Sequence, residues 1–224
     1  MLMHLHIHDL TFSYHKQAIY HNANLEIDQA GIYGLIAPNG FGKTTLLDII
    51  ADNINTYAGT IDYSTSRLSY AQDIDVLYDD LTVWDHIEFI LGVHKISIND
   101  PFYQKYLHLL GIETYKHKKV KACSLGMKKK LLLFLAILPN PDILLLDEPL
   151  NGLDIDSVII IRELLASIND EHRMIVIVST HNLPELEKLS NSAIFIQNSK
   201  LYLKENIDNM EVTYLDEYQS NLPI

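Results

Sequence analysis

The sequence predicts an α/β protein whose core is a mixed, largely parallel β-sheet, with an antiparallel β subdomain at the N-terminus and an inserted α-helical subdomain. Residues 31–51 read as an apolar strand, a glycine-rich turn and a helix. The runs 143–146 and 174–178 are continuously apolar, which is typical of parallel strands covered on both faces. Residues 81–138 have helical spacing and interrupt the alternation of strands and helices, so we expect them to form an insert.

Alternation of apolar and polar residues predicts the first strand, over residues 2–10. Its two faces are formed by Met3, Leu5 and Ile7 on one side and by His4, His6 and His8 on the other. Histidines at alternate positions could bind a metal ion. A half-solvated strand is the favoured interpretation, because no cysteine or carboxylate cluster is evident nearby.

Further elements follow from the same reasoning. Strands are expected over residues 18–27, 31–36, 57–63, 67–71, 143–146, 174–179, 193–197 and 201–203. Helices are expected over residues 43–51, 101–110, 124–138, 156–168 and 183–189, with another that begins after Thr82. We therefore predict one domain, in which segments 1–77 and 139–204 form the core, 78–138 forms the helical subdomain, and 205–224 is an irregular acidic tail with a short helical turn near 214–218.

Composition and charge limit the class of protein. The chain has 224 residues, 48% of them hydrophobic, and a formal net charge of -12. This charge disfavours non-specific binding to nucleic acid or to anionic lipid. A single cysteine, Cys123, excludes an internal disulfide and suits a reducing compartment. The N-terminus shows no signal-peptide pattern and the longest apolar run, 131–138, is too short for a membrane span, so we expect a soluble chain.

The glycine-rich turn is of the kind that wraps a phosphate chain. It follows the pattern G-x-x-x-x-G-K-[ST] except at the first position, where Ala37 replaces glycine. In such a loop, backbone N–H groups bind phosphate oxygens, the lysine (Lys43) reaches the outer phosphates and the hydroxyl of Thr44 binds Mg²⁺. If position 37 required a positive φ, Ala37 would cost on the order of 1–2 kcal/mol. Phe41 is also bulkier than the small residue usual beside the phosphates.

Two carboxylates follow the buried strand at 143–146. Asp147 and Glu148 lie at its C-terminal end, where open parallel sheets bind ligands. We assign Asp147 to Mg²⁺ and Glu148 to the base that activates water. His181 follows the next strand, so we expect it at the same edge of the sheet, within reach of the terminal phosphate.

Weaker signals lie in loops. Gln72 follows the strand 67–71, and its amide could reach Mg²⁺ or the attacking water. Ser124 precedes a long helix, where its hydroxyl and the helix N-terminus form either a second anion site or a plain helix cap. The lysines within 116–121 and 128–130 are interpreted as a solvated face, with contact to phosphate or to a partner as the alternative.

Taken in order, these motifs resemble those of the nucleotide-binding domain of ABC transporters over nearly the whole chain. The matches are Tyr14 to the aromatic residue that stacks on adenine, 37–45 to Walker A, Gln72 to the Q-loop, 123–127 to the signature motif, 144–148 to Walker B, 151–154 to the D-loop and His181 to the H-loop. The signature form S-x-G-M resembles that of exporters whose membrane subunits are separate chains.

The resemblance implies a Mg²⁺-dependent ATPase with a P-loop NTPase (RecA-like) core. Two subunits would dimerise head to tail and enclose two ATP molecules between them. The implied ATP contacts are Tyr14, Asn39, Gly40, Phe41, Gly42, Lys43, Thr44 and Thr45, with Ser124, Gly126 and Asp154 acting on the partner's ATP. The implied Mg²⁺ residues are Thr44, Gln72 and Asp147, and the implied catalytic residues are Glu148, His181, Gln72 and Lys43.

Partners and location are implied as well. The partners are a separate transmembrane permease subunit, contacted through the Gln72 loop and the helical block, and a second nucleotide-binding subunit. A homodimer suffices, because one chain holds every element of the site. Export is favoured over import. The chain would be cytoplasmic, on the inner face of the cell membrane, and no nucleic-acid partner is expected. The alternative is an ABC ATPase with a signalling, nucleic-acid or ribosome-directed role.

Overall fold

The computed structural model describes residues 3–63 and 67–218. The strands are β1 (Leu5–Tyr14), β2 (Gln17–Ile27), β3 (Gly31–Ile36), β4 (Ala58–Tyr63), β5 (Leu68–Ala71), β6 (Ile143–Asp147), β7 (Ile175–Ser179), β8 (Ala193–Gln197) and β9 (Lys200–Lys204). The α-helices are α1 (Lys43–Ile50), α2 (Val83–His94), α3 (Pro101–Leu109), α4 (Leu125–Ile137), α5 (Ile155–His172), α6 (Leu183–Glu187) and α7 (Met210–Tyr218).

The central sheet is mixed, as predicted. Its strand order is β5-β6-β7-β3-β8-β9, and the first five strands are parallel while β9 runs antiparallel to β8. Ser179, at the end of β7, lies opposite Asp147 of β6 on one side and opposite Leu35 of β3 on the other. The carboxyl ends of β6, β7 and β3 therefore meet at one edge, which is where parallel sheets place their ligands.

Both faces of this sheet are covered, which explains why its strands read as unbroken apolar runs. Leu144 and Leu146 of β6 face a core shared with α2, α3, α4 and α5. Ile143 and Leu145 face a second core, shared with α1 and with the N-terminal sheet. Alternate residues of β6 thus pack on opposite faces of the sheet. One face is covered by the helices between β5 and β6 together with α5, and the other by the phosphate-loop helix α1.

The N-terminal sheet is antiparallel, in the order β2-β1-β4, which confirms the predicted antiparallel part. Strand β1 runs further than predicted, because its pairing with β2 continues to Tyr14; residue 2 lies outside the described residues. His4 contacts Asp62 at 3.1 Å and His6 contacts Asp28 at 2.7 Å, so these imidazoles bond to neighbouring strand ends.

The helices between β5 and β6 begin at side chains that cap them. Thr82 and Asp85 form a capping box at the start of α2. Asp100 caps α3, with Pro101 in its first turn, and Ser124 caps α4. Across the described ranges, none of the helices combines the length and apolarity needed to cross a bilayer.

The helical turn expected near 214–218 is confirmed as part of a longer helix, and the irregular tail expected from residue 205 is wrong over residues 210–213. Residues Met210–Tyr218 form α7, whose start is capped by Asn209 through a 2.8 Å bond from the N–H of Val212. Met210 and Tyr218 are fully buried against the second core, and this burial stabilises a helix too short to persist alone. Residues 219–224 lie outside the described residues.

Candidate functional site

A cleft of about 980 Å³ opens at the carboxyl edge of the central sheet. The structure brings most of the predicted site residues together in it. Its lining includes Tyr14, Asn39, Gly40, Gly42, Lys43, Thr44, Thr45, Gln72, Asp147 and Glu148. Tyr14 is about half exposed, at 48%, so part of its side chain is accessible to a ligand.

Two glycines shape the phosphate loop. Gly40 and Gly42 have φ of +82° and +105°, a conformation that side chains disfavour. A Cβ at Gly42 would also lie 2.6 Å from Cγ2 of Ile19 and 2.9 Å from the hydroxyl of Tyr20. Ala37, by contrast, is not among the positive-φ positions of the described chain. The strain considered for Ala37 therefore does not arise.

Lys43 begins α1 and is almost completely buried, at 8% exposure. Its ammonium donates a 2.9 Å hydrogen bond to the carbonyl oxygen of Ala37, across the loop. Burial lowers the pKa of Lys43, while Glu148 and Asp147 act in the opposite direction. Gly42 has no side chain to accept from the first turn of α1, so those N–H groups remain available to an anion.

Thr44 and Asp147 meet in the lining of the cleft. The Thr44 hydroxyl donates to Oδ2 of Asp147 at 2.7 Å, and the Ser179 hydroxyl donates to Oδ1 of the same carboxylate. Gln72 donates from its amide nitrogen to Asp48 at 3.2 Å, which leaves its amide oxygen as the group available to a cation. A hydroxyl, a carboxylate and an amide oxygen are the ligand types that Mg²⁺ prefers, so the residues present fit this ion.

Glu148 has a backbone φ of +46°, in the left-handed region. Its N–H donates to the Ser179 hydroxyl at 2.9 Å, and its carbonyl accepts from the ammonium of Lys129 at 2.7 Å. Its carboxylate contacts Nδ1 of His181 at 3.1 Å. A non-glycine residue in this region costs roughly 1–3 kcal/mol unless neighbours hold it. Ser179 and Lys129 are the neighbours that fix the backbone of Glu148.

Lys129 is the main site residue that sequence reasoning missed. It lines the cleft from α4 and donates to the carbonyls of Glu148 and Asn151, both at 2.7 Å. Burial lowers its pKa, although Asp73 and Glu148 favour the charged form. The interpretation of 128–130 as a solvated face is therefore wrong for Lys129. One lysine in a run of three carries no sequence signal that separates it from its neighbours.

Several predicted residues lie beside the cleft lining. Phe41 turns away from it, towards the ring of Tyr218. His181 lies next to the cleft, where its Nδ1 contacts the carboxylate of Glu148, a lining residue. Ser124 and Asp154 cap α4 and α5, where they accept from the N–H groups of Met127 and Ser157 at 3.2 and 2.8 Å.

The starts of α4 and α5 pack closely together. A Cβ added to Gly126 would lie 2.9 Å from the Ser157 hydroxyl, so the glycine permits this approach. Between Ser124 and Gly126, the side chain of Leu125 reaches the lining of the cleft. The signature segment therefore lies at the rim of the site.

Comparison with known proteins identifies the family of the chain. Residues 20–151 match the family model for ABC transporters. The chain is 31% identical over 215 residues to the lantibiotic transport ATP-binding protein SrtF of Streptococcus pyogenes, covering 92% of this chain and 93% of that protein. It is 30% identical over 217 residues to the bacitracin transport ATP-binding protein BcrA of Bacillus licheniformis, covering 91% and 70%.

A solved structure of an ATP-binding subunit of an ABC transporter superposes with a TM-score of 0.82 at 21% identity, over 98% of this chain and 100% of that one. This likeness supports the fold, and the sequence matches support the family. The chain belongs to the ABC transporter family, as one of its ATP-hydrolysing subunits.

Proposed function

We propose that this ATPase hydrolyses Mg²⁺–ATP in the cleft between the phosphate loop and the carboxyl ends of β6 and β7. The observation that carries the proposal is the bond between the Thr44 hydroxyl and Asp147, beside the buried ammonium of Lys43. This bond supports the proposal because it would provide two oxygen ligands, next to one cation, where the terminal phosphates would meet the first turn of α1. Mg²⁺, when bound, would neutralise phosphate charge at the oxygens of Thr44, Asp147 and Gln72.

The remaining residues have roles that suit their positions. Tyr14 offers its ring to adenine, and the N–H groups of Asn39 to Thr45 offer hydrogen bonds to phosphate oxygens. Glu148 takes the proton of the attacking water, with its backbone fixed by Ser179 and Lys129. His181 contacts this carboxylate and donates towards the γ-phosphate.

Two copies of the chain would complete two sites. Ser124, Gly126 and Asp154 lie at the starts of two helices on the rim, where they can face the ATP of a second subunit. Apolar side chains beside them are exposed, with Ile155 at 78% and Leu125 at 38%. A homodimer accounts for both observations, since each chain carries both halves of the composite site.

The permease subunit would dock on the helical segment 78–138. Large apolar side chains are exposed on the short 3₁₀ turn after Gln72, on helix α2 and on the segment 77–82 between them: Val76, Tyr78, Leu81, Phe89 and Val93. An amphipathic helix at a cytoplasmic end of the permease fits such a surface. The chain would then lie on the cytoplasmic face of the membrane. Two relatives are named for the transport of lantibiotics and of bacitracin, and we infer a transported compound of this kind for this chain.

The experiment is Mg²⁺-dependent phosphate release by the purified chain and by Glu148→Gln, with ATP binding measured alongside. We expect Glu148→Gln to bind ATP and to lose at least about 100-fold in turnover, the contribution of a general base. The matched control is Glu187→Gln, at an exposed position on α6. Unchanged phosphate release in Glu148→Gln would overturn the assignment of the base, and absence of ATP binding by the wild-type chain would overturn the site.

A further inference from the structure

The phosphate loop is held from behind by two buried tyrosines. The hydroxyl of Tyr20 donates to the carbonyl of Gly42 at 2.8 Å, at the end of the loop. The hydroxyl of Tyr218 lies 3.1 Å from the carbonyl oxygen of Ile36 and 2.7 Å from that of Ile196 and shares its hydrogen between them. Ile36 is the last residue of β3, so the two phenols hold both ends of the loop from Ala37 to Gly42.

Tyr218 contacts the loop through its ring as well. Its ring and that of Phe41 are 6.2 Å apart at 90°, an edge-to-face pair. Phe41 is the bulky residue that replaces a small one in the loop, and this contact gives it a partner. The loop is thus tied to α7 by the hydrogen bond from the Tyr218 hydroxyl to the carbonyl of Ile36, the residue before the loop, and by the aromatic contact with Phe41.

Helix α7 is itself anchored to the β8–β9 hairpin. The amide of Gln197 donates to the carbonyl of Glu217 at 2.6 Å, and Lys204 forms an ion pair with the carboxylate of Glu217. Tyr218 is fully buried, and burial raises the pKa of both Tyr218 and Tyr20. Both phenols therefore stay protonated and remain donors across the physiological pH range.

We propose that Tyr218 and Phe41 are positioning residues through which the C-terminal helix holds the phosphate loop in its ATP-binding shape. The inference rests on the proposed ATP site. A loop that must bind phosphate through its N–H groups gains affinity when its shape is fixed beforehand, because less order is lost on binding. In this chain, the segment after β9 supplies that constraint.

The test compares two buried tyrosines, Tyr218 and Tyr33, whose hydroxyls both donate to backbone carbonyl oxygens. Tyr218→Phe keeps the ring and removes the hydroxyl. Tyr33→Phe is the matched control: Tyr33 is buried on β3, and its hydroxyl donates to the carbonyl of Gln29 at 2.9 Å, in the segment that precedes β3. Both variants remove a hydroxyl that donates to backbone carbonyl oxygen, but only Tyr218→Phe removes a contact to the residue that precedes the loop. Binding of the non-hydrolysable analogue AMP-PNP with Mg²⁺, steady-state ATPase and thermal unfolding are measured for each.

We expect Tyr218→Phe to raise the Kd of the analogue by about fivefold, the effect of one ordinary hydrogen bond, with kcat at saturating ATP little changed. Tyr33→Phe should lower thermal stability comparably and leave the Kd unchanged. Phe41→Ala should raise the Kd in the same way. Because Phe41 is 36% exposed, the chain should tolerate its truncation, and this variant keeps the test decisive if Tyr218→Phe does not fold.

An unchanged Kd in Tyr218→Phe and Phe41→Ala, or an equal rise in Tyr33→Phe, would overturn the inference while leaving the ATP site intact. Failure of the wild-type chain to bind AMP-PNP is a different result, because it would overturn the ATP site itself.

Discussion

The hydroxyl of Thr44 lies 2.7 Å from a carboxylate oxygen of Asp147, although 103 residues separate them in sequence. The bond joins the start of α1 to the end of β6, and the second oxygen of Asp147 is held by Ser179. The carboxylate is therefore fixed by two hydroxyls before any cation arrives. A preformed oxygen pair of this kind determines where a divalent ion can enter the cleft.

The Thr44–Asp147 pair predicts a specific loss of magnesium affinity. Thr44→Val keeps the shape of the side chain and removes its oxygen. We expect it to raise the Mg²⁺ concentration for half-maximal ATPase about tenfold, as loss of one charge-assisted contact would do. Thr44→Ser, which keeps the hydroxyl, is the control and should behave like the wild-type chain. Identical magnesium titrations for all three proteins would contradict the assignment.

The contacts of Lys129 predict that its replacement lowers the turnover number and leaves ATP binding nearly unchanged. Lys129→Met leaves the carbonyls of Glu148 and Asn151 without their donor and loosens the left-handed backbone of Glu148. We expect kcat to fall about tenfold or more, since a poorly held base loses orientation. KM for ATP should stay nearly constant. Lys128→Met, which removes the half-buried lysine partner of the exposed Asp79, is the matched control. A rise in KM with normal kcat would place Lys129 in substrate binding instead.

The backbone conformation of Ala37 predicts that Ala37→Gly slightly lowers the stability of the chain, instead of raising it by relief of strain. Because Ala37 is not at a positive-φ position of the described chain, glycine there relieves nothing. Ala37→Gly should leave nucleotide affinity and turnover unchanged and lower the free energy of unfolding by about 0.5–1 kcal/mol, through the entropy of the unfolded chain. Denaturant unfolding and ATPase measurements check this. A clear gain in affinity would show that Ala37 distorts the loop.

The exposed apolar surface of α2 predicts the site of permease contact. Phe89 is 69% exposed, and Phe89→Asp should abolish co-purification with the membrane subunit while the isolated chain keeps its ATPase. Tyr202→Asp alters another exposed aromatic residue, on β9, and is the control. Normal co-purification of Phe89→Asp would exclude this part of α2 from the contact.

The phosphate loop, the buried parallel strands and Asp147 with Glu148 could be predicted from sequence, because each depends on residues within one short segment. The fold class and the family are confirmed by the structure and the comparisons. The roles of the individual site residues remain predictions. Local patterns sufficed for these features since a strand, a glycine turn and a helix start each carry their own signal.

The roles of Lys129 and Ser179, and the full length and burial of α7, escaped prediction for a common physical reason. Each acts through contacts between segments far apart in sequence, such as Lys129 with the carbonyl of Glu148. A lysine in a charged run, or a short amphipathic tail, has the same sequence pattern whether it is solvated or buried. Tertiary packing decides between these outcomes, and it decided for burial at Tyr218.

The order of the strands has a consequence for synthesis of the chain. Strand β3, which carries the phosphate loop, lies between β7 and β8, and these form from residues 175–179 and 193–197. A nascent chain that has left the ribosome only as far as α5 holds the loop without either flanking strand. Strand β3 therefore has no partner in this sheet until residues 175–179 have been synthesised, so the phosphate loop gains its sheet support only after the whole helical segment has been made.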